Sequence, residues 1–424
     1  MPFHRCSPWK ALAVTLFVLG AASLAHAQDA VRPSLAGEEA SEARQQDVSR
    51  IPYNLIVGPV RFRLSTTVGL EYNDNVNFAD VGKQSDWIFT PNVNVDAIWP
   101  ITQLNTLRLD LGIGYSIYLD HSNYDTRGIL IAPNSQLAFD IFIGDFRIDI
   151  HDRMSLQQDP VAEGALSNVA NYGRFENTGG VSVLWDLNKV LLTIGYDHYT
   201  FVSTTSAFDY LNRNAEELSG TATYVITPTM RVGVEANGVF NYYNDNVLNN
   251  STTYNVGGFG ETEITNNFKL RIAGGYQAID FDHNFIDFFG MRFVDHKDLS
   301  DYYVNILATH RVNAIITQTI SAGHENQLGV NSNYITLNYV RHTINWNIVR
   351  GTLVSTEFFF EDADESGGVV NEHFQRLGGA ATLGYQLTPH VTLGLRYQYT
   401  TKDSDVALRD YNQNRISFDG TYSF

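Results

Sequence analysis

Three features of the sequence predict an all-β fold, a transmembrane antiparallel β-barrel of about 18 strands, within a range of about 16 to 20. Apolar and polar residues alternate with a period of two, which is the period of a β-strand. Short turns alternate with longer acidic connections, as they do in outer-membrane barrels. The 23 Tyr and 25 Phe favour aromatic girdles at the two membrane interfaces.

The first residues have the pattern of a signal peptide. Arg5 and Lys10 lie before or at the start of an apolar run over 11–24, and residues 25–27 form a small-residue cleavage site. We therefore predict that residues 1–27 are a signal peptide, with a membrane anchor as the alternative.

Cleavage would change both the cysteine content and the charge of the chain. The single cysteine, Cys6, lies in the removed part, so disulfides and thiolate chemistry are excluded from the mature protein. The formal net charge would go from −18 to −20, because Arg5 and Lys10 are lost. An acidic chain of this kind argues against nucleic acid as a partner.

Residues 28–60 are predicted to form a periplasmic N-terminal arm. The segment 28–50 is polar and is typical of a flexible arm or a short helix, whereas 51–59 contains two prolines and is typical of an extended lead-in at the rim. No linker or change of composition divides the remaining chain. Residues 61–424 are therefore predicted to form one outer-membrane β-barrel.

The barrel strands are predicted from alternation and from the turns between them. Clear alternation occurs at 107–117, 146–151, 230–236 and 391–399. Tight turns fall near Pro100, Gly144, Asn188, Pro228, Asn266, Asn313, Gly351 and Pro389. Their spacing of roughly forty residues fits two strands with one short and one long connection. Propeller blades, which also repeat at this period, need four strands for each unit.

The last strand, 411–424, carries the strongest signal. Ile416, Phe418, Tyr422 and Phe424 alternate with polar residues, so we expect this face to meet lipid and the strand to pair with the first one. Phe418, Tyr422 and Phe424 are the expected C-terminal signal for the barrel assembly machinery. An even number of strands places both termini in the periplasm.

Catalysis has little support in the sequence. The chain lacks G-x-S-x-G, H-E-x-x-H and a phosphate-binding glycine loop, and His324-Glu325 has no second histidine. His151 beside Asp152 and His296 beside Asp295 lack a nucleophile at a recognisable spacing. We therefore expect no enzyme activity, no cofactor and no metal site.

Arginines near the short turns are the main candidates for a role in the lumen. Alternation predicts that they point inward and form a basic belt near the periplasmic mouth, where lumen charge selects among ions. The predicted belt is Arg108, Arg147, Arg231, Arg271 and Arg396. The alternative is that these arginines pair with lumen acids. The expected partners are Asp110, Asp149, Glu235 and Asp419.

One short motif occurs twice where a strand enters a long connection. It comprises Tyr72, Asp74 and Asn75 in the first copy and Tyr243, Asp245 and Asn246 in the second. Asn and Asp tolerate turn conformations and bond to nearby backbone, so a structural turn is the first interpretation. Calcium binding is the alternative, although one Asp in each copy is few for that ion.

The two ends of the predicted barrel resemble a known family. Segments 58–62 (GPVRF), 68–76 (VGLEYNDNV) and 411–416 (YNQNRI), with the terminal Phe424, are similar to the second "putative beta-barrel porin" family. The resemblance covers about residue 55 to the end of the chain. It implies an outer-membrane barrel of eighteen strands that is associated with exopolysaccharide export, and it supplies no catalytic residues.

The leading functional hypothesis is therefore an outer-membrane exit conduit for a secreted exopolysaccharide, working with a periplasmic polysaccharide-export partner. Two alternatives stay open. One is a general small-solute porin, and the other is a plugged barrel that acts as a surface scaffold or adhesin. In each case the surroundings are outer-membrane lipid and lipopolysaccharide. The acidic loops are expected to be solvated connections, with bridging to lipopolysaccharide through divalent cations as the alternative.

Overall fold

The computed structural model describes residues 53–102, 104–288, 290–349 and 351–424. The predicted signal peptide and residues 28–52 of the predicted arm lie outside the described residues. The described strands are β1 (Leu55–Val57), β2 (Val60–Asn73), β3 (Asp86–Pro100), β4 (Thr106–Gly114), β5 (Ile117–Tyr118), β6 (Leu130–Ile143), β7 (Phe146–Gln157), β8 (Arg174–Asp186), β9 (Val190–Ser203), β10 (Arg213–Thr227), β11 (Met230–Tyr243), β12 (Ser251–Thr265), β13 (Phe268–Phe281), β14 (Phe285–Phe288), β15 (Met291–Val294), β16 (Asp298–Arg311), β17 (Ile316–Leu328), β18 (Tyr334–Val349), β19 (Thr352–Glu365), β20 (His373–Gln386), β21 (Val391–Ser404) and β22 (Tyr411–Ser423).

Strands β2–β4, β6–β13 and β16–β22 form a closed antiparallel barrel of 18 strands. Closure occurs where β2 pairs with β22, in a register that runs from Ser65 opposite Ser423 to Asn73 opposite Arg415. The predicted fold, strand number and pairing of the last strand with the first are therefore confirmed. Among the described residues, no helix is long and apolar enough to cross a membrane.

Four short strands lie outside this set of eighteen. β5 continues the line of β4 along β3, and β1 pairs with β2. β14 and β15 form a separate hairpin within one long connection. Short 3-10 helices cover Ser122–Tyr124, Pro160–Ala162 and Ser206–Leu211.

Alternation along each strand separates an outer apolar face from the lumen. Val68 and Leu70 of β2, like Phe418 and Tyr422 of β22, are exposed on the outside, whereas the residues between them face inward. Large aromatic side chains are exposed near both ends of the strands, for example Trp99 at one end and Trp87 at the other. This pattern is that of a lipid-facing barrel with two aromatic girdles.

The two ends of the barrel are built differently. At one end, which we call the short-turn end, the strands are joined by two to five residues. At the other, the long-loop end, the connections 158–173 and 282–297 are each 16 residues long. Several of these long connections fold into the lumen, so the molecule's main apolar core lies inside the barrel at the long-loop end.

Candidate functional site

The connection 158–173 between β7 and β8, which we call the crossing loop, spans the lumen. Its Asp159 Oδ2 accepts a hydrogen bond of 2.7 Å from Arg415 Nη1 of β22. Its Val161 carbonyl accepts one of 2.9 Å from Arg376 Nη2 of β20. Because β20 and β22 are remote from β7 and β8 in the strand order, the loop divides the lumen rather than lining its wall.

Local sequence explains how the crossing loop turns into the lumen. Asp159 caps the short helix that Pro160 begins, since its Oδ1 accepts from the Val161 amide at 2.9 Å. Gly164 then passes so close to β20 that a Cβ would meet Arg376 and Phe374. Asn168 adopts a φ of +61°, a conformation that asparagine tolerates better than most residues. The turn residues therefore let an otherwise apolar segment enter the barrel.

A packed apolar core covers the crossing loop. Ala165 and Leu166 of the loop are 0% and 5% exposed, and they belong to a cluster to which the wall and other long connections contribute. Its other buried members are Tyr172, Phe201, Phe208, Leu211, Leu248, Ile286, Val330, Ile335, Leu337, Tyr339, Ala363 and Phe374. Lumen-facing apolar residues at the long-loop end are thus buried against loops instead of lining a water-filled pore.

A buried ion cluster fastens the crossing loop to the wall. The Glu372 carboxylate lies 2.7 Å from Lys402 Nζ and 2.8 Å from Arg409 Nη2, and the Glu372 and Lys402 side chains are both 0% exposed. Lys402 Nζ also donates to Ser167 Oγ at 3.2 Å. Ser167 Oγ donates in turn to the Arg409 carbonyl at 2.8 Å. Pairing of this kind offsets the cost of burying the charges.

The one acid at the centre of the loop is less well satisfied. Burial raises the pKa of the Glu163 carboxyl, and the nearby guanidinium groups of Arg174 and Arg376 oppose that shift. The packed loop consequently favours the protonated form of Glu163.

A cavity of about 230 Å³ lies between the crossing loop and the wall. Its lining residues are Glu71, Asp159, Val161, Arg396, Gln398, Arg415 and Ser417. Arg415 contacts both Glu71 and Asp159, at 2.9 and 2.7 Å, and Arg396 contacts Glu357 at 2.8 Å. The cavity is therefore small, polar and bordered by charges of both signs.

The predicted basic belt faces the lumen, but four of its five members are ion-paired. Arg108 and Arg147 share Asp140, with distances of 2.9 Å from Arg108 Nη2 and from Arg147 Nε. Arg271 lies 3.4 Å from Glu235, and Arg396 pairs with Glu357 as described above. No ion pair joins Arg231 to another described residue.

The acids expected to neutralise the belt are mostly engaged elsewhere. Glu235 has the expected role, at Arg271. Asp110 instead accepts from Gln136 at 3.1 Å, and Asp149 pairs with His151. No ion pair joins Asp419 to the belt within the described residues. Lumen arginines therefore do pair with lumen acids, and Asp140 and Glu357 are partners that the sequence did not indicate.

His151 has partners that sequence spacing did not indicate. Its Nδ1 and Nε2 lie 2.8 Å from Asp149 and 2.7 Å from Asp197. The contact with Asp197 passes over Gly180 of the intervening strand, where a Cβ would collide with the Asp197 carboxylate. Both ring nitrogens of His151 therefore contact carboxylates of the barrel wall.

The two copies of the repeated motif have different surroundings. In the first copy, Asp74 accepts from the backbone and side-chain amides of Asn414 at 2.7 Å each, and the Asn75 side chain bonds to the Ala79 backbone. This copy joins β2 to β22 at the long-loop end. In the second copy, Tyr243 lies in the lumen while Asp245 and Asn246 are exposed.

The crossing loop was the feature that sequence reasoning missed. It was assigned only to an acidic connection, although Val161, Ala165, Leu166 and Val169 make its middle apolar. Apolar residues within a long polar connection of a barrel are the signal that could have identified it. Within the described residues, no group of three or more His, Cys, Asp or Glu has the geometry to hold a metal ion.

Solved outer-membrane channels have a similar fold. The structure is similar to Pseudomonas aeruginosa OccK2 (OpdF) in complex with glucuronate, with a TM-score of 0.49, 11% identity, and coverage of 88% of this chain and 100% of that one. It is also similar to Pseudomonas aeruginosa OpdK with vanillate, with a TM-score of 0.46, 9% identity, and coverage of 86% and 99%. No curated protein matches the sequence.

The family evidence comes from the sequence itself. The family described as "Putative beta-barrel porin 2" matches residues 56–422, which confirms the resemblance at the two ends of the barrel. The match covers all the barrel strands described above except the last residue of β22, Ser423. This chain therefore belongs to the "Putative beta-barrel porin 2" family and is a porin-like barrel of the outer membrane.

Proposed function

We propose that the protein is a narrow porin for small polar solutes, acting as a channel and not as an enzyme, with its short-turn end in the periplasm. The observation that carries this proposal is the crossing loop. It divides the lumen and leaves a cavity of about 230 Å³ with Glu71, Asp159, Arg396 and Arg415 on its border. A cavity of this volume, with charged groups on its border, would accommodate a small polar solute.

This proposal reverses the order of the hypotheses drawn from the sequence. An exit conduit for exopolysaccharide needs an unbroken passage for a long chain of sugars. The crossing loop interrupts such a passage and is fastened at Lys402, Arg409 and Arg415. The small-solute alternative requires no displacement of these contacts and is therefore the better supported of the two.

The test is single-channel conductance in planar bilayers together with solute entry into liposomes. Wild-type barrels should conduct and admit monosaccharides while excluding long oligosaccharides. Replacing residues 161–171 with a short Gly-Ser linker should increase the conductance severalfold and admit the oligosaccharides. The control is Leu104→Ser in the turn between β3 and β4, which is 64% exposed at the opposite end and should change neither quantity.

Two results would contradict the proposal. Passage of long acidic oligosaccharides through the wild-type barrel would favour the export conduit. Absence of conductance in both the wild type and the linker variant, with both barrels folded, would favour the plugged scaffold, which the packed core at the long-loop end also suits.

A further inference from the structure

Arg213, the first residue of β10, lies among aromatic rings inside the lumen. Its Cζ lies 4.9 Å from the ring centre of Phe201, 5.5 Å from that of Tyr199 and 5.7 Å from that of Tyr243. Strand register explains the arrangement, because Phe201 and Tyr243 are the residues opposite Arg213 on the two neighbouring strands. The rings offer cation–π contact to the guanidinium, whose donors lie along its edge.

Arg213 differs from the other deeply buried lumen arginines in having no acid partner. It is 8% exposed, yet within the described part of the chain no carboxylate pairs with it, and its Nε is buried without any hydrogen-bond acceptor. In contrast, Arg147 pairs with Asp140 and Arg376 lies 3.4 Å from Glu361. The Arg213 Nε donor has lost water without gaining an acceptor, which is costly, and the guanidinium as a whole has no anion beside it.

Two phenol groups near Arg213 are also donors without acceptors. No hydrogen bond joins the hydroxyl of Tyr172 or that of Tyr243 to another described residue. Burial raises the pKa of Tyr172, although the charges of Arg174 and Arg213 oppose the shift, so its hydroxyl keeps its proton and is available as a hydrogen-bond donor. The region therefore concentrates donors and lacks acceptors.

The nearest acids do not supply the missing anion. Glu176 is opposite Phe201 on β8, but its Oε1 accepts from Tyr199 at 2.9 Å. Its Oε2 lies 3.4 Å from Ser155 Oγ and 3.6 Å from Arg174 Nε. Glu163 lies near Tyr172, and burial raises the pKa of its carboxyl, which favours a neutral group there.

We propose that Arg213 is the anchor of a binding site for a small organic acid inside the lumen, and this inference rests on the proposed small-solute function. The carboxylate would accept from the edge of the Arg213 guanidinium and from the Tyr172 and Tyr243 hydroxyls. The apolar body of the solute would contact the rings of Tyr199 and Tyr243, which are only partly buried. The site therefore takes a solute with one carboxylate and an apolar or aromatic body.

The experiment is isothermal titration calorimetry of the full mature protein in detergent with benzoate, and with benzamide as the uncharged probe. Benzoate should bind and benzamide should bind much more weakly. Arg213→Met should weaken benzoate binding by about tenfold or more, the loss expected for a charge-assisted hydrogen bond. Calorimetry detects binding whether or not the barrel conducts, so failure of this site and failure of the pore are distinguishable.

The control variant is Arg271→Met. Arg271 is also a lumen arginine over an aromatic ring, 4.7 Å from the centre of Phe259, but it already has Glu235 as its partner. Its loss should leave benzoate binding within about twofold of wild type. Arg213→Lys is a second variant for the case in which Arg213→Met does not fold. It keeps the positive charge and the ring contacts but lacks the planar guanidinium, so it should also weaken benzoate binding.

Several results would overturn the proposal. These are no benzoate binding to the wild type, equal binding of benzoate and benzamide, undiminished binding by a folded Arg213 variant, and an equal loss in Arg271→Met. The last result would mean that general lumen charge, and not the environment of Arg213, attracts the anion.

Discussion

Two lysine–glutamate pairs with the same separation show how differently the two ends of the barrel are built. Lys402 and Glu372 lie 2.7 Å apart at the long-loop end, where both side chains are 0% exposed. Lys269 and Glu263 also lie 2.7 Å apart, but at the short-turn end, where the side chains are 60% and 37% exposed. The first pair sits in a loop-filled interior, and the second sits in water at the rim.

The difference shows that the interactions that hold the barrel wall together are distinct from those that hold the loops inside the lumen. Backbone pairing between neighbouring strands holds the wall at both ends, and the exposed ion pair adds little to it. At the long-loop end, buried charges and apolar contacts hold loops against the wall. Changes there should affect passage through the barrel, whereas changes at the short-turn rim should leave both the wall and the passage intact.

The largest effect should come from removing the acid of the buried pair. Glu372→Ala leaves the buried Lys402 and the partly buried Arg409 without their carboxylate, and removing one partner of a buried ion pair typically costs about 3–5 kcal/mol. We expect protease cleavage within the crossing loop to become faster, while the barrel keeps its heat-modifiable mobility on gels. Glu372→Gln, which keeps the shape of the side chain, is the control for packing. Loss of the folded barrel itself would contradict the separation of the two ends.

An intermediate effect should follow from pH through Glu163. Its folded pKa lies above the ordinary value of 4.5, so the packed loop binds this proton more tightly than a released loop does. The resulting stability is present at low pH and is lost as the pH rises from 4.5 through the raised pKa.

The measurement is the rate of proteolysis of the crossing loop as a function of pH, read with a protease active across the range. Cleavage should accelerate with rising pH in the wild type and depend less on pH in Glu163→Gln. A wild-type profile that is flat, or that slows with rising pH, would show that the carboxyl of Glu163 does not govern the packing of this loop.

The smallest effect should come from the exposed pair. Lys269→Met removes a solvated contact, and such pairs contribute only about 0–1 kcal/mol. The free energy of unfolding in urea should therefore fall by no more than about 1 kcal/mol, and the rate of loop proteolysis should be unchanged. A decrease in the free energy of unfolding as large as that expected for Glu372→Ala would mean that the exposed pair at the short-turn end also stabilises the barrel wall.

The wall was predictable because its signal is local. A strand such as β22 is predictable from the alternation of apolar and polar residues alone. Its apolar residues Phe418 and Tyr422 indicate which face meets lipid, and both are exposed on the outside. The same rule placed the belt arginines on the lumen side. Alternation did not indicate the partners of these arginines. Arg396 of β21, for example, pairs with Glu357 of β19 across the intervening strand β20, and alternation within one strand carries no information about residues two strands away.

The filled lumen was not predictable from such local patterns. The sequence pattern does not indicate Arg213, because the aromatic residues around it belong to neighbouring strands. They form a recognisable group only once the strand register is known. The crossing loop likewise depends on contacts with β20–β22. Its polar ends led to its assignment as a solvated connection, whereas burial of Ala165 and Leu166 decides its path.

The span of the crossing loop also dictates an order of folding. Asp159 and Arg415 are 256 residues apart in the chain, and Ser167 and Arg409 are 242 apart. The surface that receives the loop does not exist until β20–β22 have joined the wall, and contacts between distant residues form late because their loop-closure entropy is lost first. Refolding should therefore proceed in two kinetic phases, with closure of the cylinder preceding the slower docking of its interior.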